Sequence, residues 1–341
     1  VAVLFMIEWH AVDAWTATTA RDNVVFPWLV FVGGWAAPLF LFLAGLALPL
    51  AVSAQQQRGR SAEDAGRALQ RRGWQIFLLA HVFRLQSYLL NPYAVWHSIF
   101  KPDILNILGL GLVVAASCLR WAKTTMSRAL ACGGVLLSVA VLAPYSRLWA
   151  WPDLLHPRLE AYIRPNGNFG QFPLLPWLVF LLAGTLVGLW MARPRDAEQN
   201  RRFYITLAVT GGMMLAAGWA GERLPAVLPT TGMTSFSFLV GRIGAMMLML
   251  AAARLWMSRP TAARWSPMVV FGQTSLFVYW VHVELAYGMF SAPIHRSFTT
   301  AQALVAYVVF TVFMLGLAVL WQRREGQPWI PAHLKAQAAA T

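Results

Sequence analysis

The chain has 341 residues, of which 58% are hydrophobic and only 12% charged, with a mean hydropathy of +0.55. Soluble domains carry about 25% charged residues, so this composition excludes an ordinary soluble domain, and with it a disordered chain, a collagen, a coiled coil and a disulfide scaffold. The formal net charge of +14 would suit a nucleic-acid binder only if it were gathered in one patch, and it is spread along the chain.

Apolar segments near the spanning length of about twenty residues occur at about ten places. They are Val1–Trp9, Phe26–Val52, Trp74–Leu90, Ile104–Leu119, Ala129–Ala143, Phe172–Met191, Phe203–Ala220, Phe236–Leu255, Met268–Phe290 and Ala301–Trp321. The predicted fold is an all-α polytopic membrane protein, with about ten transmembrane helices in one bundle over residues 1–322 and a C-terminal tail over 323–341. The run in progress at Val1 reads as a truncated first helix rather than a signal peptide, because no basic n-region or cleavage site is visible. Alternate loops hold 18 of the 27 Lys and Arg residues, from Arg58 and Arg60 through Arg128, Arg193 and Arg259 to Lys335. The other loops hold seven: Arg21, Lys101, Arg147, Arg158, Arg164, Arg223 and Arg296. The positive-inside rule puts the larger set and both termini in the cytoplasm. The charge is thus a topology signal, the bilayer is the first partner, and no nucleic-acid partner is expected. Cys118 and Cys132 are too few for a disulfide framework and show no zinc spacing, so no metal is expected.

The first helix closes on Glu8-Trp9-His10 and continues into Ala11-Val12-Asp13. His10 and Asp13, three apart, share a helical face. A carboxylate beside an imidazole fixes its tautomer and raises its basicity, which would make the pair a general base and its orienter at the outer mouth of a cavity. An interfacial histidine with no chemistry accounts for His10 equally well. The third helix carries His81, Arg84 and Tyr88 at i, i+3, i+7, again on one face, with Arg84 near mid-bilayer, where an arginine is costly unless paired or hydrated. The fourth begins at Asp103 with Asn106 one turn on. Asp103 would serve as a helix cap or as counter-ion to Arg84 or to Arg242 of the eighth helix. The fifth and tenth helices are nearly free of polar side chains and read as peripheral.

The longest outer loop, Trp149–Gln171, mixes aromatics with His156, Asn166, Asn168 and Gln171, a composition that suits a carbohydrate-facing lid as well as a plain surface loop. The ninth helix carries Ser275, Tyr279 and His282 at i, i+4, i+7 within one continuous span. The two polar stripes are expected to face a shared cavity, although helix-to-helix hydrogen bonds alone would also use such groups. Nucleotide-loop, serine-hydrolase and zinc-protease motifs are missing.

The ordered set of motifs resembles a known family. It comprises the His-terminated first helix, Ala37-Pro38-Leu39-Phe40-Leu41-Phe42-Leu43-Ala44-Gly45, Arg71-Arg72-Gly73, Asp103-Ile104-Leu105-Asn106-Ile107-Leu108-Gly109, Phe172-Pro173-Leu174-Leu175-Pro176-Trp177 with Gly184 and Gly188, and Gly272–His282. In this order they are similar to bacterial relatives of lysosomal heparan-α-glucosaminide N-acetyltransferase, in the wider transmembrane acyltransferase superfamily. The resemblance implies a membrane acyltransferase that takes acetyl-CoA from the cytoplasm and passes the acetyl group to a carbohydrate acceptor on the far side. It also implies a catalytic histidine after the first helix, for which His10 is the nearest match. On this reading Asp13 orients His10, and Tyr279 and His282 stabilise an oxyanion or position the acceptor. Arg84, Asp103, Asn106, Arg242 and Ser275 would bind substrate, and Arg71, Arg72, Arg120 and Arg254 would hold the phosphates of CoA. A homo-oligomer is compatible with such a bundle. The rival reading is a transporter or channel for a small polar or anionic solute, lined by the same intramembrane charges.

Overall fold

The computed structural model describes residues 1–91, 95–165, 172–223, 234–258 and 265–324. Among them, the regular elements are helices. In chain order these are α1 (Ala2–Trp15), α2 (Phe26–Gly33), α3 (Ala36–Gln57), α4 (Ala62–Leu90), α5 (Ile104–Trp121), α6 (Thr125–Tyr145) and α7 (Pro157–Ile163). They continue as α8 (Leu174–Met191), α9 (Ala197–Gly221), α10 (Phe236–Met257), α11 (Pro267–Gln273), α12 (Ser275–Tyr287) and α13 (Thr300–Arg324).

Seven spans among the described residues are long and apolar enough to cross a bilayer, or eight if α11 and α12 count together. The chain is thus a multi-pass membrane protein. The difference from about ten spans has two sources. The described α1 has 14 residues, about 21 Å at 1.5 Å per residue, short of a hydrocarbon core about 30 Å thick. The 29-residue α4 is long enough, but Gln75, His81, Arg84 and Gln86 dilute its apolar half. The continuous ninth helix expected over Met268–Phe290 is also corrected. It breaks at Thr274 into α11 and α12, which meet at 89°. Thr274 leaves helical geometry at ψ 17°, and its hydroxyl donates to the Val270 carbonyl at 2.8 Å, a side-chain bond that competes with the helix ladder.

The chain forms two compact units. One comprises Val1–Ala37, Leu85–Trp96 and Ala253–Thr341, the other Pro38–Arg84 and His97–Ala252. In the first, α1 packs against α2, α12 and α13 through small or slender side chains, Ile7, Ala11, Val12 and Ala14, all fully buried. Beyond its last turn the backbone pairs with the segment before α13. Arg296 N–H donates to Ala14 O at 2.9 Å, Phe298 N–H to Trp15 O at 2.9 Å, and Ala17 N–H to Phe298 O at 2.8 Å.

In the second unit α8 packs against α5 and α6, and its run Trp177–Leu182 is buried all round. Glycines let α3 and α8 approach backbone to backbone: a Cβ at Gly184 would collide with the Phe42 carbonyl, and one at Gly45 with that of Leu181. Such small-residue contacts are the usual seam between membrane helices. Gly45→Val or Gly184→Val is expected to cost about 1–3 kcal/mol from overpacking, read as a lower melting temperature in detergent. Gly133→Ala and Gly134→Ala, with nothing within 4 Å of the new methyl, should match the parent protein or exceed it slightly. Equal melting of all four variants would contradict the α3–α8 contact.

Candidate functional site

Seven of the sequence-predicted residues fall in two clusters, one in each unit. In the first unit His10 and Asp13 stand on the last turns of α1, and Tyr279 and His282 on α12. The His10 ring meets the His282 ring edge to face, with centroids 5.0 Å apart at 85°. On another side it meets Tyr287 in the same way, at 5.5 Å and 87°. Tyr279 flanks His282 at 6.0 Å. His282 is fully buried, and its Nδ1 lies 2.7 Å from the Val278 carbonyl. A carbonyl can only accept, so Nδ1 carries the hydrogen and Nε2 keeps a lone pair. That Nε2 is buried with no hydrogen-bond partner among the described residues.

Asp13 is engaged at both carboxylate oxygens. Oδ2 accepts from the Tyr287 hydroxyl at 2.8 Å, and Oδ1 pairs with Arg21 Nη1 at 3.4 Å. Arg21 also donates to the Asp13 carbonyl at 2.7 Å. The carboxylate therefore fixes Tyr287, and the ring of Tyr287 packs on His10. Glu8 turns its carboxylate toward Gly33, where a Cβ would come within 3.0 Å of Oε2. Ser275 is the first residue of α12, immediately after the bend. The stripe from Ser275 to His282 thus keeps its helical spacing, because the break falls just before it.

In the second unit Arg84 pairs with Asp103 at 3.4 Å. Asp103 is also the N-cap of α5: its Oδ1 accepts from Ile104 N–H at 2.6 Å, and its own N–H donates to Asn106 Oδ1 at 2.9 Å. Both expected roles of Asp103, cap and counter-ion, are therefore held by one carboxylate, and the counter-ion role goes to Arg84. Asn106 Nδ2 lies 3.4 Å from His81 Nδ1, whose shorter contact, at 3.0 Å, is to the Phe77 carbonyl. The Tyr162 hydroxyl reaches His81 Nε2 at 3.5 Å. Burial pushes the Tyr162 phenol up to about 12, with Arg84 opposing and Asp103 adding, so it keeps its proton at neutral pH. Arg242 lies over the Phe238 ring at 5.0 Å.

Of the arginines assigned to CoA phosphates, Arg71 and Arg72 are exposed on α4. Arg120 donates to Gln70 at 3.1 Å and pairs with Glu63 at 3.4 Å, which ties α5 to α4. Arg254 sits in the last turn of α10, in the first unit. In the described part of the segment Trp149–Gln171, Arg164 binds Asp153, Glu160 and the Ser146 and Trp149 carbonyls. Asn166, Asn168 and Gln171 of that loop lie outside the described residues, as do Arg259, Arg264 and the tail beyond Arg324. No group of His, Cys, Asp and Glu among the described residues has a metal-holding arrangement.

Sequence reasoning missed Tyr287, Arg21 as a partner of Asp13, and Tyr162. Tyr287 is five residues past His282 and falls off the stripe. Arg21 reads from the sequence only as a loop charge, and Tyr162 belongs to the seven-residue α7, too short to show a period within the segment Trp149–Gln171.

A multi-pass helical protein with imidazoles packed against a hydrogen-bonded tyrosine in a mostly buried setting has the groups that a membrane acyltransferase needs. The model of the heparan-alpha-glucosaminide N-acetyltransferase catalytic domain matches residues 1–219. The chain belongs to that family, and it is a membrane acetyltransferase. The matched residues contain His10, Asp13, His81, Arg84, Asp103 and Asn106, while Arg242, Ser275, Tyr279, His282 and Tyr287 lie beyond them. No curated protein matches the chain.

Asp103→Ala should cost about 0.5–2 kcal/mol for the cap plus the loss of Arg84's partner. Asp103→Asn keeps a capping side chain and loses only the charge, so it should melt above the alanine variant. Identical melting curves would mean that the cap contributes nothing.

Proposed function

We propose that the protein moves the acetyl group of acetyl-CoA onto an amino-sugar or hydroxyl group of an envelope glycan on the outer side of a bacterial inner membrane, with His10 as general base. The observation that carries this is the environment of His10: one ring held between His282 and Tyr287, with Tyr287 fixed by Asp13 and Asp13 by Arg21. General-base catalysis depends on such fixed orientation.

For an amine acceptor, the nitrogen attacks the thioester carbonyl. The C–N bond forms, the C–S bond breaks, the amine proton passes to His10, and the CoA sulfur leaves and takes up a proton. His282, with its lone pair at Nε2, is an acceptor rather than an oxyanion donor. Its part is to orient the attacking N–H or O–H, leaving Tyr279 as the hydroxyl donor for the developing oxyanion. Arg84, Asp103 and Asn106 form a polar cluster with the chemistry to hold sugar hydroxyls. Exposed Arg71 and Arg72 are the arginines of the second unit offered to the phosphates of CoA, with Arg120 already committed to Gln70 and Glu63.

Two measurements test the reading. Acetyl-CoA at about 100 times its dissociation constant should stabilise the detergent-purified protein by about 2.7 kcal/mol, and free adenosine diphosphate at the same concentration should do less. His10→Ala should lower acetyl transfer by about 10²–10⁴-fold while keeping that thermal shift; full activity in His10→Ala would sink the mechanism. Tyr287→Phe retains the ring on His10 and loses the bond to Asp13. A hydrogen bond to a charged group contributes about 1.5–3 kcal/mol, so the fall should be ten- to a hundredfold at most, in kcat rather than KM.

A further inference from the structure

The first unit carries a groove of about 730 Å³ whose floor is α13 and whose walls are Trp15 and the segment Ile294–Phe298. Ala301, Val305, Val309 and Phe313 follow one another at i, i+4, i+8, i+12 along its length, a single helical stripe. From 301 to 313 the stripe covers about 18 Å, about three-fifths of a hydrocarbon core about 30 Å thick. Val305, Val309 and Phe313 are 66%, 64% and 52% exposed, so the groove is apolar, open along its flank and about one leaflet deep.

Its character changes at the α1 end. Arg21, His295 and Arg296 gather there around Asp13. Burial and the neighbouring Arg296 charge hold His295 below its ordinary range, with Asp13 opposing and Arg21 adding. Arg296 is exposed and has φ +51°, a left-handed conformation that is unfavourable for a non-glycine residue. The backbone bonds from Arg296 to Ala14 and from Phe298 to Trp15 hold it there, and such a strained residue is a pointer to function. Trp15 closes the link. It lines the groove, is pinned by its indole N–H to the Ala286 carbonyl at 3.2 Å, and stands five residues, about 7.5 Å of helix rise, beyond His10.

We infer that the groove holds the hydrocarbon chain of the acetyl acceptor, and that this acceptor is a sugar joined through phosphate to a lipid. The apolar stripe takes the chain, the exposed Arg296 beside the Arg21–Asp13 pair takes the phosphate as arginines do, and the sugar beyond the phosphate is presented to His10 at the same end of α1. The inference rests on the acetyltransferase reading and names its acceptor class. A soluble sugar has no use for the groove. A neutral lipid has no use for its cationic end.

The test compares labelled acetyl transfer from acetyl-CoA to free glucosamine and to glucosaminyl-phosphoalkanols with chains of 4, 8, 12 and 16 carbons, all in one detergent. The parent protein should show a KM that falls at least tenfold from the shortest chain to the longest. Val309→Trp, and Ala306→Leu as a milder filling, should lose most of that dependence while keeping the parental rate on free glucosamine and the parental thermal shift with acetyl-CoA. Arg296→Gln should raise KM for every phosphoalkanol and leave free glucosamine unchanged. A chain-length dependence that survives in both groove-filling variants would be micelle partitioning and would overturn the inference, as would a parent protein indifferent to chain length. Loss of the acetyl-CoA shift and of transfer to every acceptor in the parent protein would instead overturn the acetyltransferase reading itself.

Discussion

Where α1 ends, its backbone turns directly into a short exchange of hydrogen bonds with the segment that leads into α13. Ala14 and Trp15 accept from Arg296 and Phe298, and Ala17 donates back to Phe298. These bonds form at the edge of an apolar unit, where unpaired backbone groups are expensive. They fix the axial position of α1 to within a fraction of a turn. A slip of one residue would rotate His10 about 100° away from His282 and Tyr287, since 3.6 residues make a turn. The imidazole cluster, the Asp13–Tyr287 bond and the wall of the groove all depend on that pairing.

Much of this was legible in the sequence where a local rule applied. The i, i+4, i+7 stripe of Ser275, Tyr279 and His282 survives because α12 starts at Ser275. Asp103 reads as a helix cap in the sequence, and the structure makes it one half of a capping box with Asn106. The pairing of His10 with His282 was not legible, because it joins residues 272 positions apart in the chain, and no period connects them. The bend at Thr274 was hidden by hydropathy: Met268–Phe290 is apolar on both sides of it, and a threonine hydroxyl bonded to the preceding turn leaves no mark on a window average. The span count fell short for the opposite reason. The polar groups that make α4 interesting also lower its mean hydropathy.

The arginines show how far type and position carry an argument. Positive-inside arginines, structural arginines and phosphate-binding arginines share one side chain. Arg120 separates from Arg71 and Arg72 only when its partners are seen: Gln70 and Glu63 use its donors, and its Cβ rests where Gly66 gives it room. Arg84 separates from Arg242 in the same way. One finds a carboxylate that is simultaneously capping a helix, and the other lies over a phenyl ring. A carboxylate shared between a cap and an ion pair is harder to displace than either alone, because moving it leaves both a helix N-terminus and a guanidinium unsatisfied.

The proposed reacting groups stand on helices rather than loops. His10 and Asp13 lie on α1, and Tyr279, His282 and Tyr287 on α12, so their relative placement is set by helix packing, which is dense and slow to yield. Arg21 and Arg296 come instead from the segments flanking α1 and α13, and both are tied back to α1, Arg21 through Asp13 and Arg296 through its backbone bond to Ala14. On the proposed mechanism, the imidazole pair and the cationic residues beside it are held to the same end of α1, which keeps one geometry for acyl transfer. Catalysis by positioning requires this much: a proposed base whose ring is held in place by packed helices.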